Sequence, residues 1–95
     1  MATYVILSQV SPQVLDDPKD FKQLAEKVSS KVKAECPGVV WKQSYVTLGR
    51  FDVVDVVESN DPKEVARVVM ILRTYGHETT ETLMGTPWKE FLSNL

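Results

Sequence analysis

Ninety-five residues with 43% apolar and 25% charged side chains describe one ordinary globular domain, long enough for a core of its own but near the small end. Eleven basic and 13 acidic residues give a net charge of −2, which argues against nucleic acid as a partner, since phosphate neutralisation needs a basic surface. No apolar run is long enough to span a membrane, and the lone Cys36 forms neither an internal disulfide nor a metal-ligand spacing.

Met1-Ala2-Thr3 leads straight into strand-like sequence without the basic and apolar regions of a signal peptide, so a cytoplasmic location is expected. Tyr4 to Val10 is the first strand, a β-branched and aromatic run ended by Ser11-Pro12. Asp17 then caps a helix with Pro18 in its first turn. Phe21, Leu24, Ala25, Val28 and Val32 form its apolar stripe, and Pro37-Gly38 stops it. Val39 to Leu48 and Phe51 to Glu58 are the second and third strands, joined as a hairpin by a turn centred on Gly49.

Asn60-Asp61-Pro62-Lys63-Glu64 opens a second helix with the same device, and Asp61 with Glu64 has the spacing of a reciprocal capping box. Val65, Val68, Val69 and Leu72 are its buried stripe, and Gly76 is placed to end it. Glu78 to Met84 is a polar fourth strand. Thr86-Pro87 begins a short terminal helix with Trp88, Phe91 and Leu92.

This order, β-α-β-β-α-β plus a small C-terminal helix, predicts a single α+β domain over residues 1–95 with a ferredoxin-like antiparallel sheet and two helices on one face. The Asp-Pro-Lys-acid pattern recurs with its prolines 44 residues apart, in keeping with two similar halves. The two inner strands are apolar on both sides: Tyr4 and Ile6 against Val5 and Leu7, Val53 and Val57 against Val54 and Val56. Two helices cover only one face, so the other favours a homodimer packed sheet to sheet, a dimeric α/β barrel, with higher association open.

The chain also resembles the GYD-domain family of the dimeric α/β-barrel superfamily. The likeness is carried by Thr3-Tyr4, by Thr47-Leu48-Gly49-Arg50-Phe51-Asp52 with Val53-Val54, by Val57-Glu58, and by Thr80-Glu81-Thr82-Leu83 with Phe91. The resemblance implies the fold and an oligomer but no activity, since relatives in the superfamily include monooxygenases, isomerases and ligand-binding modules. Two positions depart from the family. Phe51 replaces the name-giving tyrosine, and Asp55 interrupts a strand that is apolar in relatives.

Each candidate for chemistry also has a structural reading. Asp52, at the hairpin exit, either accepts hydrogen bonds from turn amides or serves as a general base at the mouth of a cleft. Asp55 shares a face with Val53 and Val57, so it needs a partner, with Arg50, Arg67 or Lys42 available, or else lines a pocket. Asp52, Asp55 and Glu58 do not share a face and so make no metal site. His77, the only histidine, fits a helix C-terminus; in an enzyme it is the obvious proton carrier. Trp41 and Tyr45 point the same way along the second strand, as core or as a pocket wall. Cys36 reads as an inert thiol.

The preferred expectation is a small-molecule-binding or regulatory module without cofactor, holding an apolar or aromatic ligand near Tyr4, Trp41, Tyr45 and Asp52. The alternatives are a cofactor-independent monooxygenase or isomerase using His77 and Asp52, and a structural oligomer-forming subunit.

Overall fold

The computed structural model describes residues 1–14 and 16–95, and a four-stranded antiparallel sheet in the order β2-β3-β1-β4 organises them. The strands are β1 (Ala2–Val10), β2 (Val40–Val46), β3 (Val53–Ser59) and β4 (Glu78–Gly85). The helices are α1 (Pro18–Glu35), α2 (Pro62–Thr74) and a short α3 (Trp88–Ser93). The expected β-α-β-β-α-β order with β1 and β3 central is what forms. A single 3-10 turn at Pro12–Val14 follows β1.

Both long helices start by the same chemistry. The Asp17 and Asp61 carboxylates accept the backbone N–H of Lys19 and Lys63, each at 2.9 Å, and each helix has proline in its first turn. Each such cap is worth about 1 kcal/mol. The expected capping box at α2 does not close. Glu64 reaches across to accept the Gly38 N–H at 2.7 Å, and the Asp61 N–H instead donates to Ser59 Oγ. Glu64 thus ties the start of α2 to the turn after α1, and a side chain at Gly38 would collide with its carboxylate.

Gly76 ends α2, but not by a left-handed conformation. That conformation falls on His77, with φ 52°, in the turn into β4. Histidine is among the non-glycine residues that visit this region. Gly76 is needed for space: a Cβ there would lie 2.6 Å from both Leu72 O and Glu78 Oε2.

The core lies where α2 and the C-terminal half of α1 meet β1 and β3. Tyr4, Ile6, Val57, Val68 and Leu72 are its centre. Burial alternates along β1 and β3, with the outward-pointing residues only half-buried. Val5, Leu7, Val54 and Val56 form the middle of that second face, with Leu83 and Tyr45 exposed beside them. The face expected to need cover is bare in the single chain. The α3 helix is bare as well: Trp88 is 71% exposed, its ring 6.2 Å from that of Phe91. A radius of gyration of 14.0 Å exceeds the roughly 12 Å expected of a compact chain this long.

The hairpin turn is fastened to β1 by Asp52. Its N–H donates to Ser8 O and its Oδ2 accepts the Val10 N–H, both at 2.8 Å. Thr47 closes the turn itself, through its N–H to Asp52 O and its hydroxyl to Phe51 O. These bonds start β3 at Val53 rather than at Phe51. Asp52→Ala leaves the Val10 amide without its acceptor, and the expected loss is about 1–3 kcal/mol in urea denaturation. A loss below about 0.3 kcal/mol contradicts the fastening role.

Candidate functional site

A cavity of about 790 Å³ lies between α1 and the β2 side of the sheet. Its existence follows from how α1 is laid down. Val28 and Val32, in the C-terminal half, are buried, whereas Phe21 and Leu24 are half-buried and Ala25 is exposed. The N-terminal half of the apolar stripe therefore faces open space. Phe21, Leu24 and Val28 form one wall, with Trp41 and Val53 opposite. The volume is within the range of roughly 300–1,000 Å³ typical of small-molecule sites.

The floor is polar. Asp55, buried to 6% exposure, sits on the helix-facing side of β3 among apolar neighbours. None of the three expected cations pairs with it. Lys42 lies 3.9 Å from Glu58, Arg67 donates to Glu35 O, and Arg50 stacks over the Phe51 ring. Asp55 Oδ1 instead accepts from Ser44 Oγ at 2.5 Å and from Trp41 Nε1 at 3.2 Å. Burial raises the Asp55 pKa, and these two hydrogen bonds oppose the rise.

A β-bulge makes this arrangement possible. The β2 register shifts between Trp41 and Gln43, so Trp41 lies opposite Val57 and Ser44 opposite Asp55. Both therefore face the helices. The same shift sets Tyr45 opposite Val54 on the far face, where its hydroxyl donates to Gln43 Oε1. Trp41 and Tyr45, expected to point the same way, are split by the one extra residue. Both still border the cavity, Tyr45 from the strand edge.

Glu78 is the floor residue that the sequence did not single out. It heads β4, opposite Val10, and its carboxyl tucks against Gly76. Burial pushes its pKa up to about 7; Ser8 opposes the rise, and the Asp55 and Asp52 charges add to it. Ser8 is fully buried, and its hydroxyl makes no hydrogen bond of good geometry although it faces Glu78 closely enough to favour the carboxylate. No local pattern marks Glu78, because its burial comes from the turn before it and from β1 beside it.

The other candidates lie elsewhere. Tyr4 is core, 6% exposed under α2, and Asp52 is engaged with β1. His77 is exposed, and its carbonyl accepts the Ser11 N–H. Neither His77 nor Asp52 lines the cavity. Cys36 borders it, buried, its thiol pKa raised mainly by that burial. Among the described residues, no three His, Cys, Asp or Glu side chains are grouped to hold a metal ion.

Glu78 makes stability depend on pH. Its folded pKa of about 7 lies above the ordinary 4.5, so folding favours the protonated form. The contribution is fully present below pH 4.5 and is lost as pH rises through 7. The ionisation penalty has an upper bound of roughly 3 kcal/mol, and solvent access reduces it to about 1–2. Glu78→Gln is expected to stabilise the protein by about 1–2 kcal/mol at pH 8, shrinking towards zero near pH 4.5, in urea melts at both values. An equal effect at both pH values contradicts the assignment.

The chain is 27% identical over 99 aligned positions to the glutamine synthetase and cystathionine beta-lyase binding protein of Thermus thermophilus, covering 100% of this chain and 99% of that one. Among solved structures, TTHA0845 from Thermus thermophilus is 29% identical and superposes with a TM-score of 0.58, covering 92% of this chain and 95% of that one. The leucine response regulatory protein LrpA of Mycobacterium tuberculosis, 14% identical with a TM-score of 0.61, shares the fold alone. There, 90% of this chain matches 51% of that one, about half its length. The GYD domain matches residues 4–95, nearly the whole chain, and with the ferredoxin-like sheet and the Gly49 hairpin in place this protein belongs to the GYD domain family.

Proposed function

We propose that this protein is a small-molecule-binding regulatory module whose ligand occupies the space between α1 and β2. The observation that carries this reading is the 790 Å³ cavity itself, walled by apolar side chains and floored by carboxyls. A closed core is the better packed alternative for a small domain, because each unfilled volume forfeits contacts. A ligand restores those contacts. Of the four residues expected at the site, Trp41 is its aromatic wall and Tyr45 lies at its edge, while Asp55 and Glu78 replace Tyr4 and Asp52 as its polar part.

The acting unit in this proposal is a homodimer. Val5, Leu7, Val54 and Val56 give an apolar centre, and Thr3, Gln43, Glu58 and Glu81 on the same face give a polar rim. That is the anatomy of a protein interface, and a stable one needs about 800 Å² per partner. The bare α3 adds apolar surface to whatever covers the sheet. In this proposal binding requires no cofactor, and the compartment is the cytoplasm.

A second reading is favoured by the Thermus relative, whose name describes a protein that binds two enzymes. Under it, ligand occupancy of the cavity controls attachment to a partner enzyme. A catalytic version loses ground because His77 is outside the cavity, leaving Asp55 and Glu78 as the acids on its floor among the described residues.

Thermal melting against a metabolite panel tests the ligand. A true ligand at 100 times its Kd adds about 2.7 kcal/mol of stability, and Trp41→Ala is expected to abolish the shift. A flat response across the panel, together with no copurified small molecule in native mass spectrometry, contradicts it. Sedimentation tests the dimer: wild type is expected at twice the chain mass, and Leu7→Glu as a folded monomer. A wild-type monomer at high concentration overturns the sheet-to-sheet interface.

A further inference from the structure

We propose that the ligand is an organic cation, a small amine whose ammonium group docks on the Glu78 carboxylate, with Asp55 supplying a second negative charge and Trp41 and Phe21 holding its apolar body. The inference rests on the cavity reading above and adds to it the chemical class of the occupant.

Four observations lead there. Among the described residues, neither Asp55 nor Glu78 has a cationic partner, since the ion pairs formed are Lys31–Glu35 and Lys42–Glu58. Both protein hydrogen bonds to Asp55 fall on Oδ1, and Oδ2 receives none. Behind Glu78 the Ser8 hydroxyl is fully buried and, among the described residues, makes no hydrogen bond of good geometry, so it compensates the carboxylate only weakly. The walls are apolar, which suits a hydrocarbon body and not a hydrated inorganic ion.

The charges facing the site agree in sign. β3 gives Asp55 and β4 gives Glu78, with the Asp52 charge outside the cavity adding to the negative field at Glu78; β1 borders the site with Val10, α2 with Leu72, and the turn after α2 with Gly76. On α1, Lys33 is the one cation lining the cavity among the described residues, and it is exposed at the mouth. Cys36 adds a neutral thiol, held protonated by burial. An anionic ligand meets repulsion here. A neutral one leaves the ionised floor unpaired. An ammonium group donates to acceptors that now lack donors and stabilises the charged form of Glu78.

Binding is therefore linked to proton release from Glu78, whose pKa of about 7 falls when the cation arrives. The amine stays charged throughout, so affinity is expected to drop about tenfold from pH 8 to pH 6.

The test is calorimetry on the full chain at pH 6 and pH 8 with three probes of one shape: 2-phenylethylamine, 2-phenylethanol and 3-phenylpropanoate. The expected result is binding of the amine at least ten times tighter than the alcohol at pH 8, proton release on amine binding at pH 6, and no binding of the acid. Glu78→Gln is expected to remove most of the amine's advantage and its pH dependence, and Asp55→Asn to weaken it less. Thermal melts of each variant confirm that it folds, and Asp55→Asn keeps the test open should Glu78→Gln fail to fold. Alcohol binding equal to amine binding, or amine binding untouched by Glu78→Gln, overturns the cation proposal while leaving the cavity reading intact. No binding by either amine or alcohol overturns the cation proposal, and the cavity reading falls with it only when the metabolite panel is flat as well.

Discussion

A carboxylate on the inward side of a central strand governs this structure. Asp55 lies opposite Ile6 at the middle of the sheet, on the face where helices pack. A buried charge without compensation costs several kcal/mol, so a helix cannot simply close over it. The molecule resolves this by letting α2 seal the apolar half and holding the first turns of α1 away from the polar half. The half-buried Phe21 and Leu24 are the visible consequence. The bulge in β2 completes the arrangement by turning Trp41 and Ser44 inward to satisfy one oxygen of the carboxylate.

Glu78 and Ser8 extend the same polar region across the sheet. Gly76 has no side chain where the Glu78 carboxyl needs room, and the left-handed turn at His77 brings β4 back beneath α2. Features that look separate in the sequence are thus parts of one local solution. The lone histidine shapes the turn that delivers the carboxyl. On the opposite side of the sheet the constraint is simpler: there is no polar group among Val5, Leu7, Val54 and Val56, and water is a poor neighbour for all four.

Much of the fold was legible because it is encoded locally. Two Asp-Pro-Lys caps, two apolar stripes and a glycine turn between strands each act within a few residues, and each appears where the residues place it. What escaped was set by distant partners. Glu64 has the spacing for a capping box but finds the Gly38 amide, 26 positions away, a partner that local pattern cannot reveal. The bulge after Trp41 adds one residue to β2 and reverses the face of everything on one side of it; alternation alone assigns Trp41 and Tyr45 to the same side. Asp55 announced itself as an acid in an apolar strand. Glu78 did not, because its burial depends on the turn before it and on the strand beside it, while its own neighbours in sequence are polar.

The cavity floor holds carboxyls deprived of water, and carbon-13 NMR of the side-chain carboxyls, followed from pH 3 to pH 9, reads that directly. Glu78 is expected to titrate near 7 and Asp55 above the ordinary 3.8 of an aspartate. Titration of both carboxyls at their ordinary values would mean that water reaches the floor freely, and would contradict a desolvated site.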